Sequence, residues 1–473
     1  MKEKITLIGA GLSGSLLATL LAKKGFEVVV YERRPDRRKS SVDAGRSINL
    51  AVSARGINAL TKSGVMDEIR TIATQMHGRM NHPLQGKPVG TLYSVNPNHW
   101  QNSVSRPLLN EILMTEAEKA GVVFHFNQKC EKVDIEKGEI TFTNLDNLDS
   151  PEAYTLTASR IMACDGANSA VRNAMTDVTD FQLQEDRFPI DYKELCIPPD
   201  AAGNIQMEKK WLHIWGREGG SFMMIALPNR DNTFTCTLFM PVSGEKSMEN
   251  INTPEKVTAF FQTYFPDAYP LMPTLLEDYF QNPTSSLGIV TCYPWVVKDR
   301  LALVGDACHA VVPFYGQGVN ASFEDCIELD RCIEAHYPDW TKIFQEYEQN
   351  RKENSDAISE MAQENFADMS KSGFPAALLR RGIELEMEKR FPNYQSQYEL
   401  VSFSLVPYSE AQKKGKINKQ VLSAIVATIP TVIEKGEEEA LQKTEISALI
   451  NSVNWEKAGE VFCEVYKQNG IIL

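Results

Sequence analysis

The stretch Ile5-Thr6-Leu7-Ile8-Gly9-Ala10-Gly11-Leu12-Ser13-Gly14 carries more information than any other part of the chain. Ile5 to Ile8 is an apolar run of the kind that forms a buried strand. Glycines follow at the first, third and sixth positions after it, and from Leu12 to Lys24 the apolar residues recur at helical spacing. In such a strand–turn–helix unit each glycine has a physical task. Gly9 permits the tight turn, Gly11 lets the backbone approach a pyrophosphate, and Gly14 lets the helix pack closely on the strand. The helix start at Leu12 and Ser13 then offers unpaired N–H groups and a partial positive charge to phosphates. Phe26 to Tyr31 is a second buried-strand run, and Glu32 stands at its end, where a carboxylate can accept hydrogen bonds from ribose hydroxyls. The alternative, a turn with a purely structural role, explains the glycines but not the acid.

Two later stretches repeat the strand-then-glycine pattern. Arg160 to Cys164 is apolar in its interior and runs into Asp165-Gly166-Ala167-Asn168-Ser169, with Arg172 three residues on. Arg300 to Val304 runs into Gly305-Asp306-Ala307-Cys308-His309 and then Pro313-Phe314-Tyr315-Gly316-Gln317-Gly318-Val319-Asn320. Asp306 at a strand end suits a ribityl hydroxyl; its bland reading is a helix N-cap. Gly316, Gln317, Gly318, Val319 and Asn320 precede a helical pattern and would set N–H groups against a polar ring edge. Asp165 begins a turn with a capped helix, and Arg172 would pair with phosphate or with Asp165 itself. His309 reads either as a cofactor contact or as a packed, hydrogen-bonded histidine. Together the three stretches imply one long, phosphate-bearing cofactor held by distant parts of the chain.

The chain has 473 residues, more than a single small core usually holds. Its formal net charge of −13 argues against nucleic acid as a partner. Nine cysteines without a C-x-x-C pair, and seven histidines without ligand spacing, argue for free thiols in a reducing compartment and for no metal site. The apolar stretch from Val421 to Ile433 contains Pro430 and is too short for a membrane span. The expectation is a soluble, cytoplasmic protein. Its fold class is α/β: a Rossmann-like domain over residues 1–180 and 287–335, an inserted antiparallel β-sheet domain over 181–286, and a helical C-terminal region over 336–473. The insert is read from strand-like runs at Met207–Trp215, Ser221–Leu227 and Thr233–Met240, with Thr253-Pro254 opening a helix after them.

The three motifs in this order resemble the single-component FAD-dependent aromatic hydroxylases, over roughly residues 1–335. The likeness narrows at Gly45-Arg46-Ser47-Ile48-Asn49-Leu50-Ala51-Val52-Ser53-Ala54-Arg55-Gly56, at Gly78-Arg79-Met80, at Val104-Ser105-Arg106-Pro107, at Met361-Ala362-Gln363-Glu364-Asn365 and at Tyr398-Glu399-Leu400-Val401. These stretches are similar to the kynurenine 3-monooxygenases, and the resemblance then extends to about residue 410. It implies bound FAD, transient NADPH and O2, and hydroxylation of L-kynurenine to 3-hydroxy-L-kynurenine through a flavin C4a-hydroperoxide. It also implies that Arg79 grips the substrate carboxylate, with Tyr93, Asn365 and Tyr398 at the amino-acid end. Phe314 and Tyr315 would border the aromatic ring, and Arg106 would approach the flavin or its phosphates. By themselves Arg79 reads as a surface ion pair and the tyrosines as half-buried core. The cluster Arg33, Arg34, Arg37, Arg38, Lys39 reads as a solvated loop or as a site for the extra phosphate of NADPH. Relatives that are membrane-anchored end in a transmembrane segment, which this polar, helical tail does not resemble. The competing functions are a hydroxylase of another aromatic acid and a non-catalytic, flavin-binding redox sensor.

Overall fold

The computed structural model describes residues 3–39, 49–147, 151–178 and 180–471. They gather into two compact units. The first comprises Met1–Thr74, Asn102–Glu194 and Asn282–Gln363; the second comprises Gln75–Gln101, Leu195–Gln281 and Glu364–Leu473.

The first unit is built on a six-stranded sheet whose centre is the opening strand, Lys4–Ile8. Glu27–Tyr31 lies parallel on one side of it and Ile161–Ala163 parallel on the other, with Leu301–Leu303 parallel beyond that. Parallel strands need both faces covered, which is why the interiors of these runs are largely apolar. Helix Leu12–Lys23 supplies part of the cover, burying Leu16, Leu17, Leu20 and Leu21, and the core continues into helices Arg106–Lys119 and Gly318–His336. The strand ends matter most. Gly9, Asp165 and Gly305 each follow the C-terminal end of one of three adjacent parallel strands, and Glu32 follows a fourth. Ligands of open α/β sheets bind at such ends.

In the second unit the hairpin-rich segment forms antiparallel strands Trp211–Arg217, Phe222–Pro228 and Phe234–Pro241. Helix Pro254–Tyr264 packs over them. Thr253 caps it, accepting from the Lys256 N–H at 3.4 Å, and Pro254 occupies its first turn, as the sequence suggests. A feature not visible in the sequence is that Gly78–Asn81 joins this sheet, parallel to Trp211–Arg217, and pairs in turn with Val89–Leu92. Residues 75–101 therefore leave the first unit, although they fall within the span 1–180. A short strand pairing carries no local signature of its partner, so only the fold shows the excursion. The tail is helical with its own core around Ile383, Met387, Ile425, Phe462 and Tyr466. Within it Val421, Ile425 and Ile429 are buried, which accounts for the late apolar stretch. Among the described residues no helix is long and apolar enough to cross a membrane.

Candidate active site

Backbone hydrogen bonds lock the strand ends of the first unit into one edge. Gly9 N donates to Tyr31 O at 2.7 Å, Cys164 N to Ile8 O at 2.8 Å, and Val304 N to Ala163 O at 2.9 Å. The glycines of the first motif divide as their spacing predicts. Gly9 has φ +98°, and a Cβ there would lie 2.5 Å from Cys164 O. A Cβ on Gly14 would lie 2.1 Å from Gly9 O. Gly11 is the exception: nothing stands within 4 Å of its Cβ position. Two glycines are thus required by packing, and the third leaves backbone open to a ligand. No side chain caps the helix that starts at Leu12, so its first N–H groups stay available.

Beside that turn lies a cavity of about 330 Å³, lined by Gly11, Leu12, Glu32, Arg34, Arg37 and Arg106 among others. Glu32 accepts from Ala10 N at 2.8 Å and Arg34 N at 2.9 Å, which fixes its carboxylate at the cavity wall and leaves lone pairs for further donors. Among the described residues Arg34, Arg37 and Arg106 make no salt bridge. Desolvation lowers the Arg34 pKa; Glu32 opposes this, and the like charges of Arg33, Arg37 and Arg106 add to it. Arg38, by contrast, is committed to Asp36 and Glu118, so the basic cluster is not a uniform solvated loop. Arginines that make no salt bridge among the described residues, an open glycine and an uncapped helix start fit a dinucleotide pyrophosphate, although Glu32, Glu111 and Glu194 line the same cavity.

The other two motifs show a mixture of roles. Asp306 opens a short helix and is met by the Ser322 hydroxyl at 3.4 Å. Asp165 accepts from Val171 N at 3.3 Å while its other oxygen is buried without a partner, and burial raises its pKa. Arg172 does not pair with Asp165 among the described residues. It is fully buried and donates to Ala307 O at 3.0 Å, Ala167 O at 2.6 Å and Glu185, so it pins the middle motif to the late one. Asn320 is likewise spent within the protein. Its amide oxygen accepts from Ser53 N and Gly56 N, and its amide nitrogen donates to Ala51 O and Gly316 O. Only its backbone is left for a cofactor, along with the uncapped start of the helix at Gly318 and Val319 after buried Gln317 and left-handed Gly316. His309 takes the packed reading: it binds buried Asp325, which also accepts from Gly305 N at 3.0 Å and from Arg351 at 2.7 Å. Phe314 and Tyr315 are buried, with Phe188 5.5 Å from Phe314.

In the second unit Arg79, Tyr93 and Tyr398 meet. The two phenol rings stack at 5.1 Å and 19°, and the Arg79 guanidinium lies 5.2 Å from the Tyr398 ring and 5.9 Å from the Tyr93 ring. Arg79 makes no ion pair among the described residues, and its buried Nε has no partner. The surface ion pair expected of an isolated arginine is therefore absent. Burial first, and then Tyr398, push the Tyr93 phenol well above its ordinary pKa against the pull of Arg79. Tyr93 is thus a neutral hydrogen-bond donor at physiological pH. Asn365 is buried near the end of helix Trp340–Ser370. A residue the motifs did not pick out, Gln101, reaches the Tyr398 hydroxyl at 3.4 Å. The available signal was the polar run Gln101-Asn102-Ser103 inside a buried strand. Gly45 to Ile48 of the narrower motif lie outside the described residues.

Comparison with known proteins agrees with this geometry. The FAD binding domain family model matches residues 2–362, which makes the chain an FAD-dependent flavoprotein. Kynurenine 3-monooxygenase of Dictyostelium discoideum is 46% identical over 90% of this chain and 94% of its own. The enzymes of that name from Myxococcus xanthus and Christiangramia forsetii are 43% and 40% identical, covering 91% and 95% of this chain and 92% and 99% of their own. The chain belongs to the kynurenine 3-monooxygenase family. Solved structures share its fold at lower identity. 2-Methyl-3-hydroxypyridine-5-carboxylic acid oxygenase superposes with a TM-score of 0.62 at 18% identity, over 80% of this chain and 95% of that one. The p-nitrophenol 4-monooxygenase of Pseudomonas putida gives 0.61 at 18%, over 89% and 98%.

Proposed function

We propose that the protein hydroxylates L-kynurenine at the ring carbon beside the aromatic amine. L-Kynurenine, O2, NADPH and a proton give 3-hydroxy-L-kynurenine, NADP+ and water. The observation that carries this reading is Arg79 without a carboxylate partner, flanked by two phenols, in a chain of this family. A guanidinium fork meets a carboxylate with two parallel hydrogen bonds, and the Tyr93 and Tyr398 hydroxyls add further hydrogen-bonding groups. Asn365 belongs to the same amino-acid end.

In the first unit, Gly11, Leu12, Ser13 and Arg106 hold the pyrophosphate of FAD and Glu32 its ribose, while Asp306 and the backbone from Gly316 to Asn320 hold the flavin half. Arg172 acts by fixing the Asp165 turn. Phe314 and Tyr315 give the substrate ring an apolar wall. Bound flavin supplies the redox chemistry that passes electrons from NADPH to O2. The substrate needs no deprotonated phenol, because its own ring amine raises electron density at the carbon attacked. That accords with His309 being engaged by Asp325 instead of standing free as a base. The nine free cysteines support a reducing, cytoplasmic setting.

The test is NADPH oxidation by the FAD-loaded protein with and without L-kynurenine, with 3-hydroxykynurenine followed by chromatography. Product formed in step with NADPH supports the reading. NADPH oxidation stimulated only by a different aromatic acid would replace L-kynurenine with that substrate, and no stimulated turnover would leave a flavin-binding sensor.

A further inference from the structure

The strand Gln101–Ser105 buries three polar side chains in succession, and they do not end alike. Asn102 donates to Val52 O at 3.2 Å, and Ser103 accepts from the Asn49 amide at 3.0 Å. Gln101 is 2% exposed. Its Nε2 donates to the Tyr398 hydroxyl oxygen at 3.4 Å, and its Oε1 is buried with no donor among the described residues. An unpaired buried amide oxygen is destabilising, so it is retained only where something offsets that cost. Tyr398 locates the open end. Arg79 lies over the Tyr398 ring and Gln101 sits on its hydroxyl, so the guanidinium and the amide share one neighbour.

We propose that Gln101 Oε1 accepts a hydrogen bond from the α-ammonium group of the substrate, making Gln101 a specificity-determining residue that separates an α-amino acid from the corresponding deaminated acid. The inference rests on the reading of Arg79 as the carboxylate grip. An α-amino acid carries its ammonium and carboxylate on the same carbon. A carboxylate held by Arg79 beside Tyr398 keeps the ammonium, one carbon away, in the same cluster as Gln101, which bonds the Tyr398 hydroxyl. The chemistry matches as well, because an ammonium has three donors and no acceptor, and Oε1 is an acceptor lacking a donor. A hydrophobic residue of similar volume would line the same spot without preferring the zwitterion, and a site that leaves a polar group unpaired rejects the ligand that lacks its partner.

The experiment compares two ligands on the FAD-loaded enzyme: L-kynurenine and 4-(2-aminophenyl)-4-oxobutanoate, which keeps the aryl ketone and the carboxylate but has no ammonium. Binding is read from the flavin absorbance change, and turnover from product formation. In Gln101→Leu the KM for L-kynurenine should rise about five- to tenfold, the size of one hydrogen bond to a charged group, with kcat within about twofold. Affinity for the deaminated acid should be unchanged. In Gln101→Glu, affinity for L-kynurenine should be kept or improved, while the deaminated acid, facing a carboxylate, should bind more weakly. Equal effects on both ligands, or none on either, overturn the proposal. A Gln101→Glu enzyme that loses both ligands also overturns it, since that result would mean the amide faces the carboxylate. If Gln101→Leu does not fold with bound flavin, Gln101→Glu carries the decision. Wild-type enzyme that fails to hydroxylate L-kynurenine would instead sink the broader functional reading, whatever the ratio of affinities.

Discussion

On the proposed function, the cofactor edge of the first unit and the Arg79 cluster of the second would each hold an anionic group, by opposite means. At the cofactor edge the ligand-facing groups are largely backbone. Neighbouring strands fix them through hydrogen bonds between Gly9 and Tyr31, Cys164 and Ile8, and Val304 and Ala163. In the Arg79 cluster the groups are side chains drawn from residues 79, 93, 101 and 398, held by ring stacking, with polar atoms on Arg79 and Gln101 left unpartnered. A backbone site is set once its strands pair. A side-chain site depends on packing and is completed only by its ligand, so its energetics are spread over the groups the ligand satisfies.

The sharpest way to break the comparison is at Gly11. Its φ of −69° is ordinary, and no atom lies within 4 Å of its Cβ position. Gly11→Leu should therefore fold with a melting temperature close to that of the wild-type apoprotein. FAD affinity should fall by about 100-fold or more, because the charged hydrogen bonds from the helix start to the pyrophosphate are each worth about 1.5–3 kcal/mol. Gly14→Ala provides the contrast, since its new Cβ would meet Gly9 O at 2.1 Å and disturb the fold itself. Calorimetry on apoprotein, followed by flavin titration, separates the two. A Gly11→Leu protein that binds FAD normally would remove the backbone account of the cofactor edge.

The same contrast explains what the sequence could disclose. Gly9, Gly11, Gly14 and Glu32 are legible because turn, helix start and acid occur within a single β–α–β unit, where spacing maps onto geometry. Asp165 and Gly305 are legible for the same reason, each closing an apolar strand. Arg172 and Asn320 lie close to glycine motifs that the sequence discloses, but their side chains answer to partners such as Ala307 and Ser53 that no local pattern names. Arg79, Tyr93 and Tyr398 could be joined only through family resemblance, because nothing in the spacing of residues 79, 93 and 398 brings them together. Gln101 escaped both routes. A buried polar run says that partners exist, and it does not say which residue lacks one.

Truncating the side-chain site should leave the backbone site untouched. Arg79→Ala is expected to keep its full complement of FAD and to lose about 100-fold in kcat/KM for L-kynurenine, chiefly through KM. Arg79→Lys should recover only part of the loss, because an ammonium is a point charge that cannot present a parallel pair of donors. Steady-state kinetics with flavin quantification check both. Turnover at the wild-type rate in Arg79→Ala would reassign the cluster to a structural role.

Acid should separate the units as well, with a smaller effect. In the second unit His213 is buried, donating from Nε2 to Glu208 O at 3.0 Å and contacting His82 at 2.9 Å; His82 in turn binds Asp267 at 2.8 Å. Burial, aided by the neighbouring His82, lowers the His213 pKa to about 4. A histidine whose pKa is lower folded than unfolded binds more protons when unfolded, so stability is complete above the unfolded value of about 6.5 and declines as pH falls towards 4. The difference of about 2.5 units corresponds to a loss of about 3 kcal/mol across that window. The buried histidine of the first unit, His309, has a carboxylate partner in Asp325 instead of a second histidine. Denaturant titrations between pH 7 and pH 4 should show the decline in the fluorescence of Trp215, whose ring stacks 4.2 Å from His82. His213→Gln, which cannot take up the proton, should flatten the pH profile whatever its stability at pH 7. An unchanged slope in that variant would move the acid sensitivity to other groups and erase this difference between the two units.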